Sequence, residues 1–166
     1  DMVQGFLYAR PMPEENYIYP IPYKYYEQDH IRRYGMHGTS HKFLTERLAQ
    51  IEGKPVDEMN IITCHLGNGA SITAVKNGKS LKTSMGVTPL AGVMMRTRSG
   101  DIDPAILVFL QNKYGYTAEE LDNILNKQSG LLGVSGISSD SRDIEDGVKE
   151  GNPRAILAQD IFVSRI

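Results

Sequence analysis

The chain has 166 residues, 40% of them hydrophobic and 23% charged, with 18 basic against 20 acidic side chains and a formal net charge of -2. This composition suits a globular core in one domain or one large piece of a bigger one, and it excludes disordered and fibrous classes. No basic stripe exists to follow nucleic-acid phosphates, no apolar run approaches the ~20 residues of a membrane span, no secretion signal is present, and the single Cys64 forbids an intrachain disulfide, so a reducing, cytoplasmic setting is expected.

In chain order, residues 1–30 concentrate proline and tyrosine, which predicts an extended, packed covering segment with one short helix near Tyr23 to Gln28. Arg32-Arg33-Tyr34-Gly35-Met36-His37-Gly38-Thr39-Ser40-His41 then leads into a helix with Phe43, Leu44, Leu48 and Ile51 on one face. Thr39 or Ser40 is the expected cap, and Gly53 with Pro55 the stop. A loop carrying His37 and two arginines beside a helix N-terminus is a natural anion site.

Ile61 to Val75 reads as a tight hairpin: an apolar run, the corner Gly67-Asn68-Gly69, and a second run rich in β-branched residues. Glycines on both sides of Asn68 allow positive φ and N–H groups aimed one way, which suits a phosphate as well as a plain turn. Asn77-Gly78 predicts a second turn and a third antiparallel strand over 80–84, completing a meander.

Residues 85–103 are rich in glycine and methionine and read as a loop lining a site rather than a core element. Asp103-Pro104 opens a helix through Ile106, Leu107 and Leu110 to Gly115. Thr117 and Glu120 have capping-box spacing for a helix over 118–127, stopped near Ser129-Gly130. A small-residue loop, 133–143, leaves room for a ligand and supplies Asp140 and Arg142 ahead of a polar helix to Glu150. Asn152-Pro153 starts a last helix with Ala155, Ile156, Ala158, Ile161 and Phe162 arranged for burial, and the absence of a stop signal at Ile166 reads as a truncation inside an element.

Several chemistries compete for these residues. His37 and His41, with His30, His65 and Cys64, could bind zinc, but they lack a closed-site spacing, so no metal ligands are assigned. Gly-Thr-Ser-His is not a nucleophile elbow. His41 reads as a hydrogen-bonded histidine at a helix start. Arg98 stands among Thr97, Ser99 and Gly100, which permit close approach to an anion. Together His37, Arg98 and the 67–69 corner form a set able to stabilise a transferring phosphoryl group.

Beyond this reading, the sequence closely resembles the acetokinase family of the actin, hexokinase and Hsp70 superfamily. The resemblance rests on Met12-Pro13-Glu14-Glu15-Asn16-Tyr17, Arg32 to His41, Ile61 to Ser71, Thr83-Ser84-Met85-Gly86, Thr97 to Pro104 and Ser138 to Asp143, and spans nearly all of Met12 to Ile166. It implies an α/β fold of the ribonuclease H-like, actin-like ATPase kind, incomplete here: 1–30 as a connecting segment and 31–166 as part of the second domain, with a three-stranded meander flanked by helices. It also implies reversible phosphoryl transfer from ATP to acetate, giving acetyl phosphate and ADP, with Mg2+ and a homodimer.

By motif position, His37 and Arg98 correspond to the residues that stabilise the phosphoryl group. His65, Leu66, Gly67, Asn68 and Gly69 correspond to a phosphate-contacting loop, Asp140, Ser141 and Arg142 to a nucleotide-contacting loop, and Pro89 to the pocket for the acetate methyl. The chain also departs from the pattern. Gly5 stands where the family keeps a catalytic aspartate, and Arg96 replaces a glycine. The amino-terminal phosphate loop and the Gly-Ile-Gly-Glu-Asn motif with its Mg2+-binding glutamate are missing. Negligible activity is therefore expected of this chain alone, and a catalytically dead nucleotide-binding or dimerisation module is the alternative.

Overall fold

The computed structural model describes residues 13–166, so the position of Gly5 and the part of the expected extended segment up to Met12 lie outside the described residues. The chain divides into two compact units, Asp1–Ala91 and Gly92–Ile166.

In the first unit, helices α1 (Glu14–Tyr17), α2 (Lys24–Asp29) and α3 (Gly38–Glu52) and a 3-10 turn (Val56–Glu58) precede strands β1 (Ile61–Leu66), β2 (Ala70–Lys76) and β3 (Lys79–Thr83). The strands form an antiparallel meander in the order β1-β2-β3, with register Ile61↔Val75 through Leu66↔Ala70 and Thr73↔Thr83. The β2–β3 turn is as the sequence dictates: Asn77 (φ 51°) and Gly78 (φ 71°) both take positive φ, the requirement of a two-residue turn matched to strand twist.

The early segment corrects its sequence reading. It holds two short helices rather than one, and Tyr17 is its buried residue while most of 13–30 is exposed. Its tyrosines pack on one another, Tyr23 and Tyr26 with ring centroids 5.5 Å apart, and the Arg32 guanidinium lies 5.1 Å from the Tyr17 ring. Arg33 ties this segment to the end of the meander, donating from Nη1 to the carbonyls of Thr83, Ser84 and Met85 at 3.1, 2.7 and 3.1 Å.

Helix α3 is a larger correction. Phe43 and Ile51, on the expected inner face, are 62% and 67% exposed, whereas His41, Thr45 and Ala49 are the buried stripe. Those three are spaced i, i+4, i+8, so they share one face. That face meets the inward side of the sheet, where Thr63, Ser71, Thr73 and Thr83 are also buried. Hydrogen bonding between hydroxyls and an imidazole, not apolar area, selects the face.

The second unit contains α4 (Ala105–Tyr114), α5 (Ala118–Lys127), α6 (Gly130–Ser135), α7 (Ser141–Lys149) and α8 (Pro153–Ser164). Its core is apolar: Met94, Leu131, Ile144, Ala155 and Ala158, with Val134, Val148, Ile161 and Phe162 packed against it. Ile156, expected inside, is 38% exposed. Thr117 and Glu120 close a full capping box on α5, with Glu120 N–H donating to Thr117 Oγ1 at 3.2 Å and Thr117 N–H to Glu120 Oε2 at 2.7 Å. Asn152 caps α8 from its side-chain oxygen.

Two expectations change here. Part of the 133–143 loop is the end of helix α6, and the segment after residue 91 is core as much as loop, since Val93, Met94 and Met95 are 5%, 4% and 0% exposed. The amides of Leu131 and Leu132 donate to the carbonyls of Met95 and Arg96 at 2.9 and 3.0 Å, so the start of α6 anchors this segment. Gly130 makes the approach possible: it sits at φ +63°, and a Cβ there would collide with the Met95 carbonyl.

Candidate functional site

In the first unit the structure gathers three histidines around one buried hydroxyl. Ser71, with no exposed surface, lies 2.8 Å from His37 Nδ1 and 2.7 Å from His41 Nε2. His41 Nδ1 lies 2.8 Å from Thr63 Oγ1, and Thr63 Oγ1 donates to the Thr73 carbonyl at 3.3 Å. His65 stacks on His37 with ring centroids 3.9 Å apart, and its Nδ1 lies 3.0 Å from Ser40 Oγ. Burial, reinforced by the nearby His37 and His65 rings, pushes the His41 pKa down to about 4, so His41 is neutral at physiological pH.

Local backbone geometry delivers these rings. His37 is the residue before α3 and adopts the left-handed conformation at φ 59°. A non-glycine residue there is uncommon and costs on the order of 1 kcal/mol or more, a cost usually met where surrounding contacts over-determine the conformation. The chain thereby enters the helix at Gly38. Neither Thr39 nor Ser40 caps it, and the Ser40 hydroxyl serves His65 instead.

The 67–69 corner follows β1 directly, but it is not built as expected. None of Gly67, Asn68 and Gly69 takes positive φ. The ladder instead runs one step further, with Gly67 N–H donating to the Gly69 carbonyl at 3.1 Å. That commits one amide of the supposed cradle, leaving the Asn68 and Gly69 amides as its remaining donors. Leu66 is exposed at the strand end, and Pro89 lies in an exposed turn later in the same unit.

In the second unit, Asp140 is the N-cap of α7 and holds Arg142 in a fork: Oδ1 accepts from Arg142 N–H at 3.0 Å and from Nε at 3.1 Å, and Oδ2 from Nη2 at 2.6 Å. Arg142 keeps the Asp140 carboxyl well below the usual carboxylate range, and Arg96 adds a weaker pull in the same direction. Ser141 begins the helix between them. Arg98 is half-buried, with Nη1 3.7 Å from Met95 Sδ. Thr97 Oγ1 donates to the Asn126 carbonyl at 2.9 Å, Ser129 N–H donates to the Thr97 carbonyl at 3.0 Å, and Ser99 N–H donates to the Leu125 carbonyl at 3.0 Å. Arg98 thus stands on a backbone fixed on both sides.

The first unit therefore brings His37, His65 and the corner together, and the second pairs Asp140 with Arg142. Sequence reading missed Ser71, Thr63 and Ser40. The available signal was hydroxyls at alternate, inward positions of paired strands, Thr63 opposite Thr73 and Ser71 opposite His65. Among the described residues, no group of three or more His, Cys, Asp or Glu side chains could hold a metal ion.

Comparison with known proteins decides the family. The model of the acetokinase family matches residues 4–166. The chain belongs to that family. It is 63% identical over 155 residues to the acetate kinase of Macrococcus caseolyticus, covering 93% of this chain and 39% of that protein. Among solved structures, the acetate kinase of Porphyromonas gingivalis matches with a TM-score of 0.94 and 49% identity, over 97% of this chain and 40% of its own. A propionate kinase from Francisella tularensis matches with a TM-score of 0.90 and 46% identity, over 95% of this chain and 40% of its own. The α/β, actin-like architecture expected from the motifs is thus the family's fold, and the chain spans about 40% of the length of these relatives.

Proposed function

We propose that this chain is part of an acetate kinase that transfers a phosphoryl group reversibly from ATP to acetate, and that 31–166 contributes to the second domain of that enzyme. The observation carrying the proposal is the stacked His37–His65 pair, held by Ser71 and Ser40 beside the Gly67-Asn68-Gly69 corner.

In the forward direction an acetate oxygen attacks the γ-phosphorus. The new O–P bond forms as the bond to the β–γ bridging oxygen breaks, and that oxygen leaves on ADP. Charge on the equatorial oxygens must be offset, and fixed donors meet that need without reorganisation. His37 and Arg98 take this role, and the 65–69 segment contacts phosphates through its remaining amides. Asp140, Ser141 and Arg142 contact the nucleotide, Arg142 through the part of its guanidinium that Asp140 does not occupy. Pro89 lines the pocket for the acetate methyl. A pocket closed on one methyl disfavours longer acids by about 1–3 kcal/mol per methylene.

Mg2+ supplies charge neutralisation on the phosphates when bound, but the described residues offer no grouping that fits it, so its ligands are assigned to other parts of the enzyme. Homodimer formation is supported by α4, on which no residue is buried although Ile106, Val108 and Phe109 are 42%, 58% and 58% exposed. A cytoplasmic location agrees with the finding that no described helix is long and apolar enough to cross a membrane.

A second reading, a dead nucleotide-binding or dimerisation module, is favoured by the mutual pairing of Asp140 and Arg142 and by Gly5 at the aspartate position. Acetyl hydroxamate formation from acetate and MgATP by a complete enzyme that contains this chain's sequence separates the two. A complete family enzyme carrying Arg98→Ala is expected to lose about a hundredfold or more in rate, the cost of removing one charge-stabilising donor. This chain alone is expected to match a no-enzyme control. Unchanged rates in the variant would overturn the role of Arg98.

A further inference from the structure

Between the end of β3 at Thr83 and Pro89 the chain forms neither helix nor strand, so its path depends on hydrogen bonds from elsewhere. Three sources within the first unit supply them. Arg33 donates from Nη1 to the successive carbonyls of Thr83, Ser84 and Met85 at 3.1, 2.7 and 3.1 Å, and a charged donor shared among consecutive carbonyls fixes the direction in which the backbone leaves the sheet. The amides of Tyr34 and Gly35 both donate to the Gly86 carbonyl, at 3.1 and 3.2 Å. The Tyr19 hydroxyl accepts from the Val87 N–H at 3.1 Å. The Arg33 guanidinium lies 5.5 Å from the Tyr19 ring, so these two side chains also brace each other.

Gly86 is where these contacts converge. It is buried, and a Cβ there would collide with the Tyr19 hydroxyl, so the tyrosine closes directly on bare backbone. The two peptides joined at this junction lead to different parts of the site. One runs from Gly35 through Met36 to His37, and the other from Gly86 through Val87 and Thr88 to Pro89.

We infer that Tyr19 and Arg33 are positioning residues for selection of the carboxylic acid: by fixing the Gly86 junction they set the separation between the acid pocket at Pro89 and the loop of His37. The inference rests on the reading of Pro89 as lining that pocket and of His37 as stabilising the phosphoryl group, and it adds what holds the two in register. Both side chains act through the backbone. An acid must bring its carboxylate in line beside His37 while its alkyl end meets Pro89, so a rigid separation permits one chain length. A loosened junction accommodates a longer one.

Two measurements test this. The first compares amide exchange in this chain with and without Tyr19→Phe, which removes the acceptor of the Val87 N–H and keeps the ring. Exchange is expected to quicken at Val87, Tyr34 and Gly35 together while the β1–β2 ladder keeps its rates. Acceleration at Val87 alone, at none of the three, or equally across the ladder overturns the inference, because the junction would then not move as one piece. The second uses a complete family enzyme carrying residues 13–166 of this chain. Tyr19→Phe and Arg33→Met are each expected to raise the propionate-to-acetate ratio of kcat/KM about threefold or more, a part of the roughly 10- to 200-fold that one methylene is worth to a closed pocket. The KM for ATP is expected to stay unchanged, and Arg33→Lys to recover part of the selectivity. A merely structural role would lower kcat for both acids alike and leave the ratio where it was, which would overturn the inference. Pro89→Ala in the same enzyme separates the failures. A ratio that responds to Pro89→Ala but to neither Tyr19→Phe nor Arg33→Met overturns the inference alone, and one that responds to none of the three overturns the pocket reading with it.

Discussion

The two units bury different chemistry between their elements. Under α3 the first unit packs an imidazole and hydroxyls, His41, Thr45, Thr63, Ser71 and Thr73, each of them at most 5% exposed. In the second, α6, α7 and α8 close on Leu131, Ile144, Ala155 and Ala158. An apolar core gains stability from area removed from water and tolerates any well-packed filler. A polar layer gains little net energy per bond but is costly when one bond is left unmade. The first unit therefore needs particular residues at particular atoms, as expected of a layer whose outer member, His37, is the candidate catalytic group. Among the described residues no buried side-chain polar atom lacks a partner, so that layer is complete.

The largest effect is expected in the apolar unit. Ile144→Ala removes a side chain that is 2% exposed and should cost about 3 kcal/mol, the usual range for such truncations in a core, measured as a lower denaturant midpoint. A cost under about 1 kcal/mol would show that the second unit is looser than its packing implies.

Thr63→Val conserves shape but deprives His41 Nδ1 of its hydrogen-bond partner. It should cost about 2 kcal/mol, the penalty of a buried unmet polar group, and would sharpen the comparison if a similar swap on the solvent side of α3 cost nothing. Phe43→Ser on that solvent side should change stability by less than about 0.5 kcal/mol, even though the sequence pattern marks Phe43 as core. A large loss at Phe43 would break the comparison, because it would mean that α3 does use its apolar face.

That contrast shows what the sequence could and could not convey. Turn and cap chemistry is local, and much of it was legible: Asn77-Gly78, Gly53, the Thr117–Glu120 box and the Asn152-Pro153 start all depend on residues within a few positions of each other, whereas the Thr39 or Ser40 cap and a positive-φ corner at 67–69 did not form. The meander came from the same signals, and the motifs carried the family. Helix α3 misled because an apolar stripe normally marks the buried face, and only the sheet's hydroxyls, more than 20 residues away, reverse that choice. Met94 and Met95 misled similarly, since their burial depends on the start of α6. At the site, His37 was visible beside Gly38 and His65 two residues ahead of Gly67, but Ser71 and Thr63 were not, because a strand hydroxyl acquires its role only when strands pair and a helix histidine arrives.

The pH dependence has a definite sign. His41 titrates near 6.5 when unfolded and at about 4 when folded, so between those values the unfolded chain binds more protons. Its neutral form stabilises the fold fully above about pH 6.5, and the contribution, at most about 3 kcal/mol, is lost as pH falls toward 4. The lowered Asp140 acts in the same direction, but only below the ordinary carboxylate range.

Native-state amide exchange at pH 7 and pH 4.5, corrected for intrinsic rates and read residue by residue, tests the central claim most directly. Protection of α3, β1 and β2 is expected to fall between the two conditions while α7 and α8 keep theirs, because the strongly lowered imidazole of His41 lies under α3. Equal losses in both units, or none in the first, would contradict a polar layer built on neutral His41 beneath His37.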